Sequence, residues 1–357
     1  MSIVRASLQS YEEWGMQPVP VFFYLCSMQI RELILRWQAL WHPERYHGWG
    51  RRRGYFEGWY VKVVSSDGAL ALAIIPGISK KPDGQSEAFI QVLNGVEATA
   101  TYHVFPIKLF RPETDRFALA IGQNRFSDQG IQLDLPDLSG EVRFLDGFPW
   151  PKTLGAPGIM GWYAFIPFME CYHGVWSMHH RLEGQLSWKG KDISLQGGIG
   201  YGEKDWGTSF PRGWMWMQSS HFETDRRISV MASVAHIPWL GSSFVGFIGG
   251  ILLDDRLIRF ATYTGARRKA TIRGEELEIG FRDRRHELTI RATPGPGAHL
   301  QSPIRGEMAG KVNESLQARL DVTFRENGQV IFQGIGRWAG LEAAGEVDSL
   351  QSTEWVS

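Results

Sequence analysis

The chain predicts an all-β protein of two barrel-like or sandwich-like halves, preceded by one amphipathic helix. Three observations carry this expectation. Glycine occupies 41 of 357 positions, where ordinary usage of roughly 7% would give about 25; such an excess suits turns, bulges and tight bends. From Tyr55 onward, short strand-like runs follow one another, broken by Gly, Pro, Asn and Asp. Helical patterns do not alternate with those runs, which argues against a doubly wound α/β fold.

The helix comes first. Ile30, Leu33, Ile34, Trp37, Leu40 and Trp41 recur at helical spacing, with Arg31, Glu32, Arg36 and Gln38 on the opposite side. Pro43 ends it. Its apolar stripe is expected to pack on the body, with a membrane-surface anchor as the alternative. Strands follow at Tyr55–Val64, Ala69–Ile75, Glu87–Leu93, Ala100–Phe105 and Arg116–Ile121, separated by turns such as Ser66–Asp67–Gly68. A loop rich in Gly and Pro spans Asp146–Pro157. A second strand series then runs from Val175–Trp188 to Gln329–Trp338. Within it, Ile228–Leu253 carries no Asp, Glu, Lys or Arg and is long enough for a membrane span. Pro238, Gly241, Gly246, Gly249 and Gly250, with alternation at its start, make it two strands joined by a turn. The chain thus divides into an N-terminal segment with the helix (1–42), a first barrel-like domain (43–190), a second (191–345) and a tail (346–357).

Composition narrows the function. Lys plus Arg and Asp plus Glu are 38 each, so the net charge is zero. No nucleic-acid partner is expected, because phosphate binding needs a basic excess. Cys26 and Cys171 are too few for a disulfide scaffold or a structural zinc site, and they suit a reducing, cytoplasmic compartment. Arg5, Glu12 and Glu13 precede a first apolar run that contains Pro18 and Pro20 and lacks a small-residue cleavage site, so no signal peptide is expected. A soluble or peripherally membrane-bound protein fits. The 15 Trp, 20 Phe and 10 Tyr imply large apolar surfaces, in a core or around a ligand cavity.

Two motifs place acids beside tryptophans. In Gly54–Lys62, an extended chain sets Glu57 on one face with Tyr55, Trp59, Val61 and Val63. A carboxylate there must be paired, hydrogen-bonded or neutral, and an Arg such as Arg53 is the structural alternative. In Tyr201–Gly207, Glu203 and Asp205 share a face while Lys204 points away. Two carboxylates so close cannot easily both ionise when partly buried, so one can hold a proton near neutral pH. Trp206 and Arg212 follow, and Trp214, Trp216 and Gln218 share a strand face. Gly197, Gly198, Gly200 and Gly202 lack the following helix that a phosphate loop needs. Cys171 and His173 invite a cysteine-hydrolase reading, which spacing alone does not support. His179–His180 lacks a metal-ligand companion set.

Phe56–Tyr60, then Glu203–Gly207, then Phe210–Trp216 resemble, in the same order, the motifs of the tocopherol cyclase family. The likeness runs over roughly Pro43 to Ala344. Asp205 stands where the plant pattern has Asn. The resemblance implies a lipocalin-like architecture and cyclisation of a prenylated hydroquinone to a chromanol, an isomerase (intramolecular lyase) reaction of vitamin E biosynthesis. The chemistry needs an acid to protonate a trisubstituted alkene, a lining that tolerates the tertiary cation, and exclusion of water. No metal, redox group or other cofactor is expected. Asp205, Glu203 and Glu57 are the candidate acids, Asp205 first. Trp59, Lys204, Trp206, Arg212, Trp214, Trp216 and Gln218 are expected to contact or orient an apolar prenylated quinol or related isoprenoid. Carotenoid hydratase-like alkene hydration, a non-catalytic lipocalin-like carrier and Trp-based carbohydrate binding are the alternatives.

Overall fold

The computed structural model describes residues 21–357 of the chain, with side chains from Ile30 onward. Arg5, Glu12, Glu13, Pro18 and Pro20, on which the signal-peptide expectation rests, lie outside the described residues. Among the described residues there is one α-helix, α1 (Val21–Ala39), and none long and apolar enough to cross a membrane. The packing expected of its apolar stripe needs correction. Ile30, Leu33, Ile34 and Trp37 are exposed, and a cavity lies between Leu33 and Trp37 of that stripe and the 157–170 loop. The chain just beyond the helix is what joins it to the body. There the Trp41 indole donates to the Leu154 carbonyl and its ring packs on Phe165.

The rest is β, as the glycine and strand pattern requires. The first sheet takes β1 (Tyr55–Val64), β2 (Ala71–Lys80), β3 (Ser86–Asn94) and β4 (Thr99–Pro106). It continues with β5 (Phe110–Pro112), β6 (Ala118–Ile121), β7 (Asn124–Ser127), β8 (Gly130–Leu135) and β9 (Leu138–Phe148). Three further strands, β10 (Cys171–Trp188), β11 (Lys191–Ser194) and β12 (Ile199–Gly207), complete it. They pair in the order β4-β3-β2-β1-β12-β10-β9-β8-β7-β6-β5, with β11 beside β10. The two end strands, β4 and β5, are neighbours in the chain, linked through the 3₁₀ turn Ile107–Leu109. The sheet therefore curls round until its edges approach, which is a nearly closed barrel.

The second sheet begins with β13 (Gly213–Ser219), β14 (His221–Phe222), β15 (Ile228–Trp239), β16 (Ser242–Leu253) and β17 (Arg256–Ala261). Next come β18 (Arg267–Arg273), β19 (Glu276–Arg282), β20 (His286–Thr293) and β21 (Gly297–Ile304). It ends with β22 (Glu307–Glu326), β23 (Gln329–Gly345) and β24 (Ser352–Val356). The order is β17-β16-β15-β13-β23-β22-β20-β19-β18-β24, with β14 on β23 and β21 on β22. The charge-free stretch is indeed two strands, β15 and β16, turning at Leu240 and Gly241 with positive φ.

The chain changes sheet between Gly207 and Gly213, later than the boundary near residue 190 drawn from the strand pattern. The cause is β12, which returns to lie between β1 and β10. It is missing from the predicted strand series because Gly198, Gly200 and Gly202 and three consecutive charged residues break its pattern.

Alternation then sorts side chains into three cores. Tyr55, Trp59, Val61 and Val63 of β1 point into the first barrel with Leu72, Ile90 and Leu182. Met215, Val230, Phe260, Ile290 and Leu320 fill the second. Tyr60, Trp150, Tyr201 and Trp216 belong to a third cluster between the sheets. Strands β1, β12 and β13 thus give one face to a barrel and the other to the space between.

Candidate active site

A cavity of about 180 Å³ lies between the two sheets. Apolar side chains of both sheets dominate its wall, and Glu203, Asp205, Glu314 and Glu342 are its carboxyls, with the His173 ring and the Tyr60 hydroxyl beside them. The backbone explains their convergence. Glu203 pairs with Tyr60 across β12 and β1, and His173 pairs with Asp205 across β10 and β12. Glu314 and Glu342 sit directly opposite each other on β22 and β23.

Hydrogen bonds hold each carboxyl in place. The Tyr201 hydroxyl donates to Glu203 Oε2 at 2.6 Å, and the Trp216 indole to the same oxygen at 3.2 Å. The Trp214 indole donates to Glu342 Oε2 at 2.7 Å. Tyr60 donates to Glu314 Oε1, while Glu314 Oε2 is buried without a partner. His173 Nδ1 lies 2.8 Å from Asp205 Oδ1, and its Nε2 lies 3.6 Å from Glu203 Oε2.

Burial raises the proton affinity of Glu203, Glu314 and Glu342, and neighbouring negative charge adds to it. Glu203 is pushed up to about 7 by burial, with His173 and the Tyr201 hydroxyl opposing and Asp205 and Glu342 adding. Glu342 reaches about 7 through burial and the charge of Asp205, against the Trp214 hydrogen bond. Burial and the facing Glu342 hold Glu314 well above the carboxylate range. His173 goes the other way. Burial disfavours its charged ring, but Asp205 and Glu203 outweigh that and raise it to about 9. At neutral pH a neutral Glu314, partly protonated Glu203 and Glu342 and an imidazolium therefore share one wall. His173, Glu203 and Asp205 also offer ligand atoms within 4.8 Å of one another, a spacing that can hold a metal ion.

Of the residues singled out from sequence, Glu203, Asp205, Trp214 and Trp216 meet in this cavity, and the other six do not. Glu57 lies on the barrel side of β1, completely buried, 2.5 Å from Lys204 Nζ. Two backbone contacts from His47 N–H and the Tyr55 hydroxyl complete its shell. Burial raises its pKa, yet Lys204 and His47 prevail and bring it to about 2. The partner expected for it was an arginine such as Arg53; it is Lys204. That ammonium sits over the rings of Trp59 and Trp206 at 4.8 and 4.5 Å on the barrel side, and Trp206 also borders the outer cavity beside α1. Gln218 accepts a hydrogen bond from buried Lys62 at 2.9 Å. Arg212 is exposed and pairs with Glu346.

Sequence reasoning weighed His173 only as a partner of Cys171 and set it aside, and it missed Glu314, Glu342 and the role of Tyr60. For Glu314 a signal existed, since Val312, Glu314 and Leu316 alternate as Glu57 does among its neighbours. For His173 and Glu342 only long-range pairing reveals the role. The thiol of Cys171 is pushed well up by burial and by Asp205, the opposite of what a cysteine nucleophile needs.

A family model described as tocopherol cyclase-like matches residues 141–345, more than half of the chain. The chain belongs to the tocopherol cyclase-like family. The four carboxyls of the cavity and His173 fall inside the family match, whereas Glu57 and Tyr60 precede it. Among curated proteins of this family, a probable tocopherol cyclase of rice chloroplasts is 24% identical over 147 residues, 40% of this chain and 31% of the rice protein. A chloroplast tocopherol cyclase of maize is 34% identical over 62 residues, 17% of this chain and 13% of that protein. The matched stretch thus spans under a third of either relative. Among solved structures, that of CghA covers 82% of this chain and 89% of its own, with a TM-score of 0.51 and 11% identity. That likeness concerns the fold.

Proposed function

We propose that the protein cyclises a prenylated hydroquinone to a chromanol, with Glu203 donating a proton to the alkene of the prenyl tail. The observation that carries this reading is the set of buried carboxyls, Glu203, Glu314 and Glu342, whose protons are retained to near neutrality on a tryptophan-lined wall. A donor works best when its pKa lies near the working pH, which favours Glu203 and Glu342 over the tighter Glu314. Both hydrogen bonds to Glu203 reach Oε2, leaving Oε1 to carry the proton.

The step balances without an oxidant or reductant. The Glu203 proton forms a C–H bond at one alkene carbon, and the other becomes a tertiary cation. The phenol oxygen closes a C–O bond to that cation, and its proton returns to the carboxylate. The cation is stabilised by the new carboxylate and by the faces of Trp214 and Trp216, each ring contributing roughly 0.5–2 kcal/mol. Asp205, the first candidate from sequence, is partly exposed and engaged by His173; in this reading it orients and charges that ring. Glu57, ionised, has no proton to give at neutral pH.

A second reading keeps the acid and changes the nucleophile. His173 borders both this cavity and an outer one, which gives water an approach to the cation and would make the product an alcohol. Mass spectrometry of products from a panel of prenylated quinols tests both. An isomer of the substrate supports cyclisation, and a product one water heavier supports hydration. Glu203→Gln should bind quinol and lose turnover by several orders of magnitude; retained turnover rejects Glu203 as donor. Dialysis against a chelator should leave the rate unchanged. A rate lost and restored by a divalent ion would instead assign His173, Glu203 and Asp205 to a metal.

A further inference from the structure

The inner cavity, at about 180 Å³, is smaller than the roughly 300–1,000 Å³ usual for small-molecule sites. It adjoins an outer cavity of about 600 Å³, with Met160, Met169 and His173 in both walls. The outer cavity offers a long apolar ligand a route to the inner one, so what surrounds that opening matters.

Four exposed apolar side chains line it: Leu33 and Trp37 from α1, and Phe165 and Phe168 from the loop before β10. The patch continues outward. Phe168 and exposed Trp162 both pack on Trp239, and the adjoining Leu240, at the tip of the β15–β16 hairpin, is 78% exposed. Two segments distant in sequence and a hairpin tip thus present apolar tips at one mouth. Arg36, Arg51 and Arg53 line the same cavity, against one acid there, Glu170. Burial raises the pKa of that acid, so the rim is net positive although the chain is neutral.

We infer that this rim docks on an anionic lipid surface, with α1 lying in the interface and the outer cavity opening toward the bilayer. Trp and Phe tips mixed with arginines are the composition of an interfacial contact, in which rings enter the headgroup boundary and guanidinium groups meet phosphates. The position of the patch favours lipid over a second copy of the chain. A protein partner seated on the rim would close the opening, whereas a bilayer both covers the apolar tips and delivers an apolar ligand through it. The docking does not rest on the cyclisation reading, since any lipid-like ligand would use the same route.

Sedimentation of the full chain with vesicles tests this without any substrate. Binding is expected to vesicles of phosphatidylcholine with phosphatidylglycerol, to weaken with added salt, and to be weaker on phosphatidylcholine alone. Leu33→Ser with Trp37→Ser, and separately Phe165→Ser with Phe168→Ser, should each lower vesicle affinity by roughly tenfold or more. Phe168→Leu should retain it. Circular dichroism of each variant checks that the sheets are intact, since Phe165 and Phe168 also pack on Trp41 and Trp239. Absence of binding by the wild type, or binding as tight as the wild type's by both double variants, overturns the inference. So does light scattering that finds a wild-type dimer converted to monomer by the same substitutions, which would make the rim a self-interface.

Discussion

Glu57 and Glu203 sit on adjacent strands and opposite faces, and their surroundings drive them to opposite charge states. Glu57 faces Lys204 inside the barrel and is ionised. Glu203 faces other acids between the sheets and holds its proton to about 7. Their amide variants should therefore fail differently. Glu57→Gln leaves the Lys204 charge buried without its partner and should destabilise the fold by about 3–5 kcal/mol, read by denaturant unfolding, while turnover persists in whatever remains folded. Glu203→Gln should stay stable and lose turnover. The wild-type rate should fall as pH rises through about 7, because the donor acts only while protonated; a rate that climbs through that range contradicts an acid at Glu203. Period-two alternation made both glutamates legible as unusual, and it separated Lys204 from Glu203 and Asp205. It could not tell which buried carboxylate had a cation beside it, because Lys204 reaches Glu57 from the neighbouring strand. For Trp214 and Trp216, whose indoles hold Glu342 and Glu203, bound quinol should quench emission, and Trp216→Phe should reduce that quench.

At the scale of elements, β12 explains a glycine pattern that resembled a phosphate loop. A Cβ on Gly202 would lie 2.0 Å from the Trp176 ring, and one on Gly200 would lie 2.1 Å from the His180 ring. The bare strand is a bed for two rings of β10, not a cradle for an anion. Gly202→Ala should cost about 1–3 kcal/mol through overpacking, measured as a lower denaturation midpoint with unchanged slope; a neutral result would mean that Trp176 moves aside freely. The pairing of Glu314 with Glu342 belongs to this scale too. Each is an ordinary glutamate in a long strand, and only the β22–β23 register makes them face each other. The barrel curvature was visible in the glycines and short runs, whereas the site needed the register of strand partners that lie well apart in sequence, His173 with Asp205, Glu314 with Glu342 and Tyr60 with Glu203, which no local pattern encodes.

For the whole molecule, the buried acids link folding to pH in a direction opposite to the usual carboxylate. Glu342 holds its proton to about 7 when folded and releases it near 4.5 when unfolded. Between those values the native state binds more protons, so stability falls as pH rises through that window and stays reduced above it. The linked change is on the order of 3 kcal/mol. Glu342→Gln, which imitates the neutral acid and still accepts from Trp214, should raise the melting temperature above pH 7 and change it little near pH 4; a variant less stable at every pH would show that the carboxylate is not strained. The two faces of β12 carry a consequence of another kind. Insert or delete one residue between Tyr201 and Trp206, and Lys204 turns into the cavity while Glu203 turns into the barrel, so both interiors receive the wrong sign of charge at once. Substitutions on either side can be tried one at a time, but length cannot. Descendants of this gene are free to gain or lose residues at tips such as Asn327–Gly328, whereas from Gly202 to Gly207 they can differ in letters and not in number.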